Sequence, residues 1–410
     1  MSDKQNWIAR RLSQKSIRGT VVIIMAALPL IHIPGSALVS IQLQSLLIVM
    51  LALIILAYKP YFNVLRSNLR TTNLRIKAGI TLFTVLAIVS SLLTHEQSLP
   101  LTLIGSYPEY IGLFQWVAFL VLAFFVGDQV YKIKNSLALP LLASAIILVS
   151  IFSDRALIPS YFQLSGLLFQ ATNLALYACF GLALLLGNFQ VHYKKRPWLS
   201  VLCFAVLTTG VFLAQSRIGL FAYALICAVT LITRPHMIKT MILALSAMVL
   251  ITINLLSPNL LSRYQNEDVA HGIEYRKAIY ATSIREIVDR HILIGNGAGA
   301  HPVYLNQQKE VPADIAKDLR IGLRFASAHD LLVDVGLMYG LVPCLIVVLA
   351  IIWAIRHYWH AFSLHGELSI GLAFLVLLTG TLVRVLSLII TPLFVLVLIS
   401  GLKKQTPCRS

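Results

Sequence analysis

The sequence has little charge and few cysteines. Only 12% of its 410 residues are charged, against roughly 25% in an ordinary soluble domain, whereas 58% are hydrophobic and the mean hydropathy is +0.83. The five cysteines form no Cys-x-x-Cys pair, so neither a disulfide framework nor a thiolate metal site is indicated. These scarcities exclude a soluble enzyme, a disordered chain and a fibrous protein. The composition that remains is that of a polytopic membrane protein.

Acidic residues are also scarce, at 16 against 33 basic ones. In a soluble protein this excess would suggest nucleic acid as a partner. Here the chain divides into twelve apolar segments. If the N-terminus is cytoplasmic, the inner connections contain 21 basic and 3 acidic residues, whereas the outer connections contain 12 basic and 13 acidic residues. The positive-inside rule therefore predicts an even number of spans with both termini cytoplasmic, and no nucleic-acid partner. The segments are 20–36, 40–58, 78–95, 109–127, 136–153, 168–188, 199–216, 218–233, 239–256, 331–355, 367–384 and 385–402.

One polar stretch interrupts the series of short loops. Residues 257–330 separate nine apolar segments, within 1–256, from the last three and a basic tail, within 331–410. The charge pattern places this stretch outside, and loops of such length are usually functional. Helical spacing over 277–290 and a proline start at Pro312 predict short helices within it. The sequence thus predicts an all-α polytopic membrane protein with about 12 transmembrane helices and one large helical outer loop.

A single arginine stands between two apolar segments that almost touch. Arg217 lies within 215–219, at the predicted outer boundary of the membrane. Ionisable side chains at such a depth are costly and tend to mark substrate sites. A guanidinium suits phosphate because its planar fork donates two hydrogen bonds at once. Arg276, in the outer loop, is a second candidate cation. The alternative for Arg217 is a side chain that only extends to the membrane–water interface. The alternative for Arg276 is a solvated charge on the loop surface.

A histidine precedes the tenth segment. His329 is followed by Asp330, and Asp334 lies one helical turn further on. An imidazole exchanges a proton near neutral pH, so His329 can deprotonate an acceptor hydroxyl. The two carboxylates can orient the ring or stabilise its charged form. The alternative is an interfacial histidine that caps the helix. Gly336 and Gly340 form a small-xxx-small face suited to close helix packing.

Motifs for nucleotide or metal chemistry are missing. The glycine-rich run 295–299 is not followed by Lys-Ser or Lys-Thr, so it predicts a turn rather than a P-loop. The histidines in and beside the outer loop include no His-Glu-x-x-His arrangement. The sequence therefore predicts neither a metal nor a cofactor.

Three motifs follow one another along the chain. The first is Ser-Arg-x-Gly between two spans, at 216–219. The second is a long outer loop with an early arginine, Arg276, and a later Leu-x-Gly-x-Gly turn at 293–297. The third begins at His329 and ends at Gly340, with Asp330 and nine further residues between them. In this order the motifs resemble those of the O-antigen ligase and O-antigen polymerase superfamily of bacterial membrane glycosyltransferases, whose third motif is His, then Asn, Ser or Gln, nine residues and Gly.

The chain departs from the third motif at two positions. Asp330 stands where an amide or hydroxyl residue is usual, and Pro343 stands where a small residue or Tyr is usual. The first departure can change how His329 is held, and the second can change the helix packing behind it. Asp330, Arg324 and Arg384 are the expected supporting residues of the site.

The resemblance implies a GT-C-like fold in the bacterial inner (plasma) membrane, with a periplasmic active site. The donor would be an undecaprenyl diphosphate-linked glycan and the acceptor lipid A–core, among membrane lipids. Arg217 and Arg276 would bind the diphosphate, and His329 would activate the acceptor hydroxyl, with inversion at the anomeric carbon.

The acceptor divides this superfamily, and the same three residues serve each branch. A ligase uses lipid A–core, a polymerase uses another lipid-linked repeat unit, and a third branch uses a protein such as pilin. Chain length and the single dominant outer loop favour the ligase. The alternative from another class is a polysaccharide transporter, but a transporter would need polar groups spread through the spans rather than gathered at one face.

Overall fold

The computed structural model is helical wherever it describes the chain, and the described part contains no strand. The described residues are 16–32, 36–93, 103, 112–127, 129–130, 136–157, 168, 170–233, 236–256, 280–281, 283–285, 287–288, 292–298, 330–365, 368–383 and 390–402. Its helices of seven residues or more are α1 (Ser16–Leu30), α2 (Ala37–Ala57), α3 (Lys59–Thr71), α4 (Leu74–Leu93), α5 (Leu113–Val126), α6 (Ala138–Leu157), α7 (Ala171–Gly187), α8 (Phe189–Lys195), α9 (Pro197–Leu213), α10 (Arg217–Thr233), α11 (His236–Leu256), α12 (Leu331–Tyr339), α13 (Leu341–His365), α14 (Ser369–Val383) and α15 (Ile390–Leu402).

Each of the twelve predicted apolar segments overlaps a helix. Within the described residues, three helical stretches are long and apolar enough to cross a membrane: Val39–Ala57, Leu74–Leu93 and Leu341–Ser363. A fourth is added if α7 and α8, which meet at an angle of 77°, form one span. The other apolar stretches of the described helices are shorter, at 10–17 residues, as with Ala138–Ser153 within α6. The described part of the protein is therefore all-α with three or four candidate spans, and twelve spans remain a prediction.

Helix α7 lies at the centre of the bundle. Every residue from Asn173 to Gly187 is buried, and the helix packs against α6, α9, α10 and α14. A helix that is apolar on all sides needs an apolar environment of other helices or lipid, and for α7 the other helices provide it. Small residues let these helices approach closely: a Cβ on Gly181 would lie 2.8 Å from the Cβ of Ala143, and one on Gly380 would lie 2.5 Å from Leu176 Cδ1.

The packing defines two ends of the bundle. Gly380, near the end of α14, contacts Leu176 near the start of α7, whereas the end of α7 at Gly187 meets the start of α14 at Ser369. These two helices are thus antiparallel. The start of α10 lies beside the start of α7, so we name this side the Arg217 end. Late residues of α13 pack near the start of α14, which places the C-terminal part of α13 at the opposite end.

Residues 59–77, expected only as a charged connection, contain the amphipathic helix α3. Its Leu65 is buried and its Arg66 is exposed. Asn68 Nδ2 donates hydrogen bonds to the carbonyls of Phe124 (2.9 Å) and Phe125 (3.1 Å), in the last turn of α5. Helix α3 therefore satisfies carbonyls that the end of α5 leaves without helical partners.

The expectation of one continuous span over 331–355 is wrong, because the chain reverses at Gly340. Helix α12 ends at Tyr339, α13 begins at the residue after Gly340, and Gly340 has φ +90°. Cys344 Sγ donates to the carbonyl of Leu332 at 3.4 Å, although twelve residues of straight helix would separate them by about 18 Å. Helix α12 is therefore folded back against the first turns of α13. The apolar pattern runs through the reversal, which is why the sequence suggested one span.

Candidate functional site

Arg217 is the first residue of α10 and its side chain is exposed. The preceding Ser216 holds this helix end in place. Its Oγ accepts a hydrogen bond from the amide of Gly219 (3.3 Å) and donates one to Thr172 Oγ1 (3.1 Å), at the start of α7. Gln215, at the turn into the helix, has φ +50°, a backbone conformation that a non-glycine residue seldom adopts. The local structure thus presents Arg217 at one defined point of the bundle.

Gly219 brings the first turn of α10 directly against α7. A Cβ at this position would overlap the Cβ of Ala175, so a larger residue would push the helices apart. Cys179 Sγ also donates to the carbonyl of Gly219, at 3.4 Å. The Ser-Arg-x-Gly element therefore divides its roles: the serine and the glycine fix the helix, and the arginine is left exposed.

The glycine-rich turn caps the end of α12. Gly295 and Gly297 both have positive φ, at +72° and +84°. The amide of Asn296 donates to the carbonyl of Leu337 (2.8 Å), and the amide of Gly297 donates to the carbonyl of Met338 (2.7 Å). These carbonyls belong to the last turn of a helix, where no helical donor follows. A segment of the polar stretch 257–330 is thereby bonded to α12.

The same turn interlocks with the chain reversal. A Cβ on Gly295 would lie 2.5 Å from the amide nitrogen of Gly340, and a Cβ on Gly340 would overlap the carbonyl of Leu293. Across this contact, the amide of Leu341 donates to the carbonyl of Ile292 at 2.7 Å. Both positions therefore require glycine, because of the space as well as the backbone angle.

Two serines that the sequence reasoning missed complete this junction. Ser90 Oγ donates to the carbonyl of Met338 (2.8 Å) and accepts from the amide of Gly297 (3.0 Å), while Ser91 Oγ accepts from the amide of Ala298 (3.2 Å). These backbone groups therefore meet α4 near its C-terminal end. The signal available in the sequence is the adjacent pair of polar residues near the end of an apolar helix.

Asp330 is the N-cap of α12. Its Oδ1 accepts from the amides of Leu332 (2.8 Å) and Val333 (3.1 Å), and the carboxylate also suits the positive end of the helix. Partial burial raises the pKa of Asp330, those two hydrogen bonds lower it, and the negative charge of the buried Asp334 raises it. The net direction is upward. The expected supporting residue is thus, first of all, a helix cap.

Two of the six expected site residues lie in the described chain. Arg217 and Asp330 stand at the starts of α10 and α12, and both helices contact α14. The other four, Arg276, Arg324, His329 and Arg384, lie outside the described residues. Their convergence with Arg217 stays a prediction. Within the part of the chain that the structure describes, no three His, Cys, Asp or Glu side chains are grouped closely enough to hold a metal ion.

Comparison with known proteins finds no relative of this chain. No family model, no curated protein and no solved structure matches it. Its function must therefore be inferred from its own motifs and geometry.

Proposed function

We propose that this chain is a glycosyltransferase of the O-antigen ligase type in the bacterial inner membrane. It transfers an undecaprenyl diphosphate-linked glycan to lipid A–core on the periplasmic face, and its twelve spans leave both termini in the cytoplasm. The observation that carries the proposal is that two distant motifs share one end of the bundle: the Ser-Arg-x-Gly element at 216–219 and the glycine-rich turn that packs on Gly340.

The setting of Arg217 supports a role in binding phosphate. The guanidinium stands at the positive end of α10, where the amides of the first turn and the helix dipole also favour an anion. Ser216, bonded to Thr172, keeps the helix end fixed. A planar guanidinium on a fixed base can donate two hydrogen bonds to a diphosphate. Arg276, in the proposed periplasmic loop, is the second diphosphate ligand of the proposal.

The junction at Gly340 supports a fixed place for the proposed base. His329 directly precedes the capping residue Asp330, and α12 is held at its other end by the glycine-rich turn. The loop that carries Arg276 and the helix that follows His329 are therefore linked by hydrogen bonds. An amide or hydroxyl residue, usual at position 330 in the superfamily, would cap a helix as Asp does. The departure at Asp330 preserves this cap.

The proposed reaction is a single displacement. His329 takes the proton of an acceptor hydroxyl, and the hydroxyl oxygen bonds to the anomeric carbon as the bond from that carbon to the diphosphate oxygen breaks. Arg217 and Arg276 stabilise the negative charge that develops on the leaving undecaprenyl diphosphate. The carboxylate of Asp330, next in sequence to His329, stabilises the imidazolium that forms. Attack from the opposite face gives inversion.

The test is a lipopolysaccharide gel from a strain lacking this gene and complemented with variants. With wild type, we expect core carrying glycan chains. With His329→Ala or Arg217→Lys, we expect bare core and accumulated lipid-linked glycan, because the base or the two-pronged phosphate contact is lost. Arg196→Lys, at an exposed arginine of the opposite end, is the matched control and should behave as wild type.

The gel also separates the branches of the superfamily. Core carrying a single repeat without a ladder would identify a polymerase. An unchanged lipopolysaccharide pattern in the deletion strain would contradict both activities, and glycosylated pilin would then be examined. Full activity of His329→Ala, at wild-type protein levels in the membrane, would show that the base is assigned wrongly.

A further inference from the structure

A cavity of about 930 Å³ lies between α4 and α13, away from the Arg217 end. Its volume is within the roughly 300–1,000 Å³ typical of ligand pockets. The wall is largely apolar, with Gly79 and Ile80 on α4 and Ile346 and Leu349 on α13. At Gly79 an added Cβ would meet its nearest neighbour, in Ile346, at the ordinary contact distance of 3.8 Å, so a methyl group fits between the helices here without overlap.

One end of the cavity is positively charged. Arg75, the second residue of α4, and Arg356, on α13, line it with exposed side chains. The N-terminus of α4, which is the positive end of its helix dipole, also lies at this end of the cavity. There Asn73 Oδ1 accepts a hydrogen bond from the amide of Arg75 at 3.0 Å. None of the described lining residues is acidic. An anion placed between the arginines would therefore meet several positive groups and no negative one.

The cavity also faces the region that a bilayer would occupy. Helices α4 and α13 supply two of the three stretches that are long enough to cross a membrane in the part of the chain that the structure describes. On α13, Leu349 is 65% exposed, and Trp353 and Trp359, which also line the cavity, are 40% and 71% exposed. Tryptophan is enriched where a membrane meets water. The cavity thus has an apolar side towards the membrane core and a charged, aromatic side at the interface.

We infer that this cavity binds an anionic phospholipid of the bilayer. The phosphate lies between Arg75 and Arg356, and an acyl chain follows the apolar wall past Gly79 and Ile80. A soluble anion would use the arginines but not the wall, whereas a neutral lipid would use the wall but not the arginines. The charge pattern of the sequence assigns this end to the cytoplasmic leaflet, whose lipids are rich in negative charge.

This site is distinct from the one proposed for glycan transfer. It requires that the chain lie in a membrane, and it requires nothing of Arg217 or His329. A lipid-binding measurement therefore tests it separately from any test of the transferase activity.

The test is native mass spectrometry of the full chain, purified from nanodiscs that contain equal amounts of phosphatidylglycerol and phosphatidylcholine. We expect wild type to retain phosphatidylglycerol in preference. A basic side chain near an anionic surface contributes about 1 kcal/mol, so each arginine lost should weaken retention about fivefold and the pair Arg75→Gln/Arg356→Gln about thirtyfold. Arg196→Gln, an exposed arginine outside the cavity at the same end, should change nothing.

A second variant tests the wall without changing charge. Gly79→Leu fills the space between α4 and α13 and should reduce bound phosphatidylglycerol, with a symmetric size-exclusion peak as the check of folding. Equal retention of the two lipids by wild type, or unchanged retention by the double arginine variant, would overturn the inference. A dimeric mass without bound lipid would do the same, since a second copy of the chain would then cover the groove.

Discussion

Gly295 and Gly340 touch backbone to backbone, 45 positions apart in the chain. A Cβ on Gly295 would lie 2.5 Å from the amide nitrogen of Gly340 and equally close to that of Tyr339. The two glycines have φ +72° and +90°. Their contact closes the reversal between α12 and α13 with the glycine-rich turn, so a segment of the polar stretch 257–330 becomes part of the helical bundle.

We expect Gly340→Ala to destabilise the protein by about 3 kcal/mol or more. The methyl group would overlap the carbonyl of Leu293, and the residue would keep a backbone conformation reserved for glycine. The measurement is thermal unfolding in detergent, followed by fluorescence-detected size-exclusion chromatography.

The matched control for that variant is Gly79→Ala. This glycine lies inside α4 with its nearest neighbour at ordinary contact distance, so alanine should be neutral or stabilise the helix by up to about 1 kcal/mol. Equal melting temperatures for wild type and Gly340→Ala would show that the reversal is not packed as described.

A methyl group can be moved across the contact between α7 and α10. Gly219→Ala adds one that overlaps the Cβ of Ala175, and we expect a loss of about 1–3 kcal/mol from overpacking. In the double variant Gly219→Ala/Ala175→Gly the volume is restored, and most of the lost stability should return. Thermal unfolding of the four proteins gives the coupling between the two positions.

The swap also separates packing from function. If transfer activity returns together with stability in the double variant, the glycine acts by placing Arg217. Additive losses in the two single variants, without rescue, would mean that α7 and α10 do not meet at these residues.

Asp330→Asn should keep the cap of α12 and remove a charge that the structure disfavours. The pKa of the Asp330 carboxyl is raised by burial, so ionisation costs folding stability at every pH above the folded pKa. The Asn variant should therefore be as stable as wild type or more so at neutral pH. That advantage should vanish as the pH falls below about 4, the value for an unfolded Asp, where both folded and unfolded carboxyls are protonated.

Asp330→Ala is the companion variant, because it removes the cap as well as the charge. Loss of the hydrogen bonds to the amides of Leu332 and Val333 should cost about 1 kcal/mol. If Asp330 also supports His329 as proposed, Asp330→Asn should shift the acidic limb of the pH–activity profile to lower pH, since the imidazolium loses a stabilising charge. An unmoved profile would leave Asp330 as a cap only.

The sequence alone was sufficient to predict an all-helical protein and the position of nearly every apolar helix. Helical apolar segments are visible because bilayer and core impose the same requirement on every residue of a segment. The sequence also drew attention to 216–219, because a charge between two apolar segments is unusual, and to the glycine-rich run, because closely spaced glycines predict a turn.

Only the tertiary structure decided which segments of the chain contact one another. Three contacts join segments whose composition does not indicate which segment each packs against. They are Ser90 with Gly297, Gly219 with Ala175 and Cys344 with Leu332. The reversal at Gly340 is the clearest case: hydropathy is a sum over neighbouring residues and does not register a single positive φ. Composition and local spacing thus determined which parts of the chain are helical, and side-chain volume and unpaired backbone groups decided how those helices meet.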